Sequence, residues 1–210
     1  MLEYSGVTEA QLKNIEVLVN GKVIQTFATG TEIGLINDYY GRPEDSGFLT
    51  LWFARPEFKD LKDQRLTAIG TADVQTFSVN IDIDAGAAAP VIVAHAQLSE
   101  PRPLGIITKV KAFPHNSSVS GQVEIDNIPR GPRIIAAHFF KADVSDLEVE
   151  IDSQKVYDAS KTLAEAFQKQ ADVARVPQTA AATHFDTCLE GDLGQALVTA
   201  RARDMRFRLT

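Results

Sequence analysis

Four histidines, His95, His115, His138 and His184, are the side chains of this 210-residue chain best suited to holding a transition metal, and their spacing argues against it. None forms an HxH pair, and none belongs to an HExxH helix, which places two imidazoles on one face with a glutamate between them. The cupin-type dioxygenases and isomerases need two closely spaced histidines and a following glutamate on facing strands, a grouping absent here. His138, within IIAAHFF, reads as a packed core or interface residue. Cys188 is the single cysteine, so neither an internal disulfide nor a thiolate cluster can form within one chain.

Carboxylates offer a second chemistry. Asp82 and Asp84 share one face of a strand, and Glu124 with Asp126 repeats the pattern. Pairs at i, i+2 could contribute to a calcium site, which gathers about six to eight oxygens, or could flank a glycosidic bond. Neither segment is densely acidic, so solvated charge is the favoured role. No catalytic, cofactor-binding or metal-ligating residue is assigned, and the chain reads as a non-enzyme.

The remaining signals are thin. Neither GxGxxG nor GxxxxGK[ST] occurs, so nucleotide binding has no support. Asn116-Ser117-Ser118 fits a glycosylation acceptor without a secretion signal beside it. Trp52 stands alone, and with Tyr39-Tyr40 it is expected in core or interface contacts rather than in a sugar-stacking platform. Arg201, Arg203, Arg206 and Arg208 form one basic cluster, but Arg206 and Arg208 alternate with Met205, Phe207 and Leu209, as on a strand with one solvated face. A formal net charge of -7 also argues against a partner bound through its phosphates.

The elements that must carry these residues are mostly strands. Phe77, Val79, Ile81 and Ile83 alternate with polar residues at the period of a half-buried strand. Phe48 to Ala54, Pro90 to Leu98, Ile106 to Phe113, Gln122 to Ile128, Arg133 to Phe140, Leu147 to Ile151 and Met205 to Leu209 read likewise, between Gly, Pro, Asp and Ser clusters. Two short helices interrupt them: one capped by Thr31 and ending at Gly41, another capped by Asp158 or Ser160 with Leu163 and Phe167 on its buried side. Asn20-Gly21, between Ile15–Val19 and Val23–Phe27, marks a two-residue hairpin, because both turn positions must accept positive φ.

That hairpin is doubled. Leu147 to Ser153 lies over Ile15 to Gly21, and after one extra residue, Gln154, Lys155-Val156 falls on Lys22-Val23. Downstream the helices correspond, Phe48 and Thr50 match Phe185 and Thr187, and Ala72, Phe77 and Val79 match Ala202, Phe207 and Leu209. Collinear matches imply two copies of one β unit. The expectation is an all-β chain of two tandem jelly-roll sandwiches with short helical insertions, at 1–102 and 103–210, joined within Ser99–Gly105. The repeat further predicts first-copy strands upstream of Met1 and a last second-copy strand beyond Thr210, from a longer product or from another chain by edge addition.

Composition is that of a soluble globular protein, 44% hydrophobic and 23% charged. The N-terminus has no secretory pattern, so folding in a cytoplasm is expected.

NGKVI followed by a short helix, GFLTLWFARPE, LTAIGTADVQTFSVNIDID, GQVEIDNIPRGPRIIAAHFFKA and ARVPQTAAATHFD together resemble the major capsid proteins of corticovirus-type tailless phages that enclose an internal membrane, over roughly Ile15 to Leu209. The resemblance implies the upright double jelly roll of the tectivirus and adenovirus coat lineage and a homotrimer of pseudo-sixfold outline tiling an icosahedral shell. It places the chain in a virion assembled in a host cytoplasm, with minor capsid and membrane-associated virion proteins as partners and no specific nucleic acid. No cofactor is implied beyond a structural calcium found in some members, for which no ligand is assigned. A secreted carbohydrate-binding or carbohydrate-active β-sandwich is the alternative.

Overall fold

The computed structural model describes residues 1–42, 44–115 and 121–210; the triplet Asn116-Ser117-Ser118 lies outside them. The chain divides into two compact units, Met1–Pro114 and His115–Thr210.

Unit 1 runs β1 (Leu2–Ser5), β2 (Leu12–Val19), β3 (Lys22–Thr29), α1 (Gly30–Tyr39), β4 (Phe48–Leu49), α2 (Leu61–Leu66), β5 (Phe77–Ile83) and β6 (Val91–Ala94). Two antiparallel sheets result, β3-β2-β5 and β4-β1-β6. Strand β2 buries Ile15, Val17 and Val19 at alternate positions, and these close one core with Leu2 and Leu49 of the other sheet. Asn20 and Gly21 turn β2 into β3 at φ 49° and 73°, the left-handed pair that two-residue hairpins require.

The predicted strand from Ile106 to Phe113 reduces to one contact with this sheet. Val110 bridges Gln25 in parallel, accepting from Thr26 N–H at 3.0 Å and donating to Ile24 C=O at 3.1 Å. The segment thereby covers the outer edge of β3. The predicted strand from Phe48 to Ala54 shortens to β4 because side chains take its backbone groups. Glu44 accepts Thr50 N–H at 2.7 Å, and the Thr67 hydroxyl donates to Phe53 C=O at 2.8 Å.

Unit 2 runs β7 (Val123–Ile125), β8 (Arg133–Ile134), β9 (Ala136–Phe139), β10 (Asp146–Ile151), β11 (Gln154–Ser160), α3 (Lys161–Gln170), β12 (Thr183–Asp186), β13 (Leu197–Val198) and β14 (Met205–Leu209). Its sheet is β11-β10-β14-β7, accompanied by the pairs β12-β9 and β13-β8. Val149, Phe185 and Phe207 centre the second core, with Phe139 and Phe185 set edge-on to Phe207 at 5.4 and 5.8 Å between ring centroids. The predicted run from Arg133 to Phe140 breaks at Ile135, whose carbonyl is taken by the Thr187 N–H and hydroxyl.

The two hairpins share one register. Val17 opposes Gln25 and Val149 opposes Tyr157, each pair followed by a bulge. Gln154 is therefore not an insertion: it opposes Ile151 as Lys22 opposes Val19, and the hairpins superpose without a gap. The long strands also need a shift. Phe77 opposes Val19 and Met205 opposes Ile151, so Phe77 corresponds to Met205 and Val79 to Phe207, two residues from the alignment read in the sequence. The bulged residues are Ile24 and Val156. Ile24, under Val110, is 6% exposed, whereas Val156 is 47% exposed.

The helices depart from expectation in two ways. Thr29 caps α1 rather than Thr31, accepting Glu32 N–H at 3.4 Å, while Glu32 accepts Ala28 N–H at 2.9 Å. Ser160 caps α3, but Leu163 and Phe167 do not face inward; they are 49% and 62% exposed. The buried positions of α3 are Lys161, Ala164, Glu165 and Gln168. Lys161 donates to Ala142 and Thr179 carbonyls, Glu165 accepts from the Thr179 hydroxyl and Gln168 donates to His184 C=O, so hydrogen bonds seat the helix.

Candidate functional site

Two of the histidines stand apart and two meet. His95 pairs with Glu3 at 2.8 Å on the surface, and His115 is exposed. His138 and His184 stand directly opposite on β9 and β12, with their Nδ1 atoms 2.8 Å apart and sharing one hydrogen bond. His184 Nε2 lies 3.1 Å from Gln178 Oε1. Burial, with Lys161 adding to it, pushes the His184 imidazole down to about 4, so it sits neutral in its pocket. The packed role expected of His138 is met by a partner 46 residues away.

The carboxylate pairs are engaged elsewhere. Asp84 accepts from Lys13 and from Gly86 N–H, Asp82 accepts from the Asn14 amide, and Glu124 faces two arginines. Among the described residues no three His, Cys, Asp or Glu side chains converge as a metal site would require.

Arg206 and Arg208 lie in a ladder across the outer face of β11-β10-β14-β7. Arg208 reaches Glu124 at 2.8 Å, Glu148 at 2.5 Å and Glu150 at 2.8 Å; Arg206 reaches Glu124 at 3.1 Å and Asp204 at 2.6 Å. Lys155 adds Glu148 and Asp158. Hydrogen bonds from Lys155 and Arg208 hold the Glu148 carboxyl below its usual range. Arg206 and Arg208 are thus matched by neighbouring carboxylates, while Arg201 and Arg203 are exposed.

Two buried charge clusters carry no sequence signature. Arg175 donates to Asp186 at 2.8 Å and to Val173 and Cys188 carbonyls at 2.6 and 2.9 Å, while Asp186 accepts Cys188 N–H at 2.8 Å. In unit 1, Arg42 and Arg55 each approach Glu57 at 2.5 Å. Burial pushes the Glu57 carboxyl up, but Arg55 and Arg42 outweigh it and hold it below the carboxylate norm. The Arg42 guanidinium lies 4.7 Å from the Tyr40 ring centroid and 5.3 Å from that of Trp52, which explains why these aromatics stand together.

A surface hollow of about 510 Å³, bordered by Tyr4, Thr8, Glu9 and Ser46, presents one carboxylate, and Glu9 accepts from the Tyr4 hydroxyl at 3.0 Å. Burial and Glu9 raise the Tyr4 phenol to about 12. The hollow thus offers a protonated phenol on one carboxylate and, among the described residues that line it, no nucleophile beside an activator. The arrangement builds two stable units of one plan and the surfaces they present.

The comparisons with known proteins agree with that plan. The viral coat protein P2 N-terminal domain matches residues 1–99, and the viral coat protein P2 C-terminal domain matches residues 107–210. The major capsid protein P2 of Pseudoalteromonas phage PM2 is 33% identical over 217 aligned positions, covering 99% of this chain and 79% of that protein. The crystal structure of that phage protein superposes with a TM-score of 0.89 at 31% identity, over 99% of this chain and 79% of the other. Two more distant structures share the fold. The PBCV-1 virus capsid matches with TM-score 0.52 at 13% identity, covering 99% of this chain and 73% of its own. The STIV MCP matches with TM-score 0.56 at 11% identity, covering 96% and 75%.

Proposed function

Since the chain belongs to the viral coat protein P2 family, we propose that it works as threefold capsomers, three copies standing together to tile an icosahedral shell. It is a phage capsid protein with a double jelly-roll fold, a structural subunit of the virion and not an enzyme. The observation that carries the threefold reading is internal repetition. β3-β2-β5 and β11-β10-β14 share strand order, hairpin register and bulge position, so each chain offers two similar units. A threefold ring of such chains alternates two similar units around its rim, and closed threefold symmetry then fills a nearly hexagonal lattice.

We place the boundary between the copies of the repeat within Ser99–Gly105, giving jelly rolls at 1–102 and 103–210, although the compact unit 1 extends to Pro114 because the segment through Val110 packs on its β3, with minor capsid and membrane-associated virion proteins as the further partners. Light scattering of the purified chain should return about three times the 22.9 kDa of one copy, and electron microscopy should show threefold particles. A monomer persisting over a wide concentration range would overturn the threefold reading.

A further inference from the structure

Helix α3 presents its apolar side chains to the outside. Its counterpart α1 shows that the fold does not demand this. Both follow the second hairpin strand, both are capped by a hydroxyl residue, and Gly30, Ile33 and Asn37 are buried in α1 as Lys161, Ala164 and Gln168 are in α3. The helices therefore dock by the same face. At the outward position where α1 carries Glu32, α3 carries Leu163; where α1 carries Ile36, packed against its own core, α3 carries Phe167, exposed. Leu163 and Phe167 are i, i+4 neighbours and form one apolar projection.

We propose that this projection is a contact between copies of the chain, Leu163 and Phe167 of one copy entering the surface of the next. The proposal rests on the reading of the chain as a self-assembling coat subunit. Charge favours a second copy as the occupant. Copies of net charge -7 repel, so their contacts belong where acid is scarce, and the exposed positions Thr162, Leu163, Phe167, Lys169 and Gln170 include no carboxylate and one lysine. A membrane surface fits less well: an interfacial helix lies in the headgroup plane by a broad apolar face, whereas α3 is held in unit 2 by its hydrogen-bonded side and offers two side chains. Aromatic side chains such as Phe167 are enriched where two protein surfaces meet.

Two measurements test this. The double variant Leu163→Ser/Phe167→Ser should weaken association about tenfold or more, while the thermal midpoint of the separated subunit stays within a few degrees because both side chains are exposed. Independently, Thr162→Cys places a reactive thiol beside the intact patch, and the native Cys188 is buried, so a benzophenone maleimide labels one position. Irradiation should link position 162 to a second copy. A wild-type trimer that the double variant leaves unchanged, with no link between copies, overturns the inference and leaves the threefold reading standing. A wild-type monomer with no link overturns both. Linking to lipid rather than protein, with phosphatidylglycerol and phosphatidylethanolamine vesicles present, assigns the patch to the membrane and also overturns the inference.

Discussion

Asn20 and Asp152 perform the same act in the two halves of the chain. Each sits at φ 49° in the hairpin turn, and one side-chain oxygen of each accepts two successive backbone N–H groups of the incoming long strand. For Asn20 these are Gln75 and Thr76 at 2.8 and 3.1 Å; for Asp152 they are Arg203 and Asp204 at 2.7 and 2.9 Å. The turn thus fixes where the third strand of each sheet begins.

Replacing Asn20 separates the two parts of that act. Asn20→Gly keeps the positive φ and loses the acceptor, while Asn20→Ala loses both. Calorimetry should show the glycine variant destabilised by about 1 kcal/mol and the alanine variant by about 2 kcal/mol. Equal losses would mean that the positive φ costs nothing, and a glycine variant as stable as wild type would mean that the side-chain bonds contribute nothing.

Acid should distinguish the two turns. The Asp204 and Arg203 N–H groups hold the Asp152 carboxyl below its usual range, so its stabilisation is complete above the ordinary aspartate pKa and is lost as pH falls through the lowered one. Asp152→Asn should remove that part of the acid sensitivity of unit 2, read as thermal midpoint against pH. The Asn20 turn has no such group to titrate.

His184 gives a second pH dependence. Its folded pKa, about 4, lies below the 6.5 of a free imidazole, so the unfolded chain takes up the proton first. Stability is therefore full above about pH 6.5 and falls as pH drops toward 4, by about 3 kcal/mol at most. His184→Gln should flatten the profile over that interval, and an unchanged slope would show that another group governs it.

Arg175 and Asp186 should prove strongly coupled. Both side chains are fully buried, so removing one leaves an uncompensated charge, and Arg175→Met should cost about 3–5 kcal/mol. Arg175→Met/Asp186→Leu together should cost much less than the sum of the single changes in urea unfolding.

Gly70 tests how the segment after Ser99 is held. A Cβ there would overlap Pro103 C=O and lie 2.6 Å from Arg102 C=O. Arg102 also donates to Arg65 and Ala68 carbonyls, and Asp73 accepts Leu104 N–H. Gly70→Ala should cost about 1–3 kcal/mol and release this segment, so that trypsin cleaves after Lys109 or Lys111 severalfold faster than in wild type.

The strands that the sequence revealed best are those with one dry and one wet face. β10 and β14 show their alternation because burial imposes it residue by residue, whereas β5 keeps the same alternation with Val79 and Ile81 only half-buried and Phe77 and Ile83 exposed. Fold class, the doubled hairpin and the coat-protein resemblance followed from such elements. Register was harder to read: a Lys-Val dipeptide opens the return strand of one hairpin and stands one residue later in the other, and matching the two made Gln154 pass for an insertion. Leu163 and Phe167 misled for a related reason, since helical spacing shows that two apolar residues share a face but not which way the face points. The buried Arg175–Asp186 pair was invisible because nothing local marks a charge whose partner arrives through tertiary structure.

Among the described residues, the unequal cover over Ile24 and Val156 leaves unit 2 with a strand edge open to unwanted sheet growth, the route by which concentrated coat subunits would clump before finding their lattice. Lys155 and Asp158 bracket that valine and pair with each other at 2.9 Å, so an approaching backbone must displace a hydrated charge on either side. The same two residues that close the ladder on the sheet face act as gatekeepers at its margin.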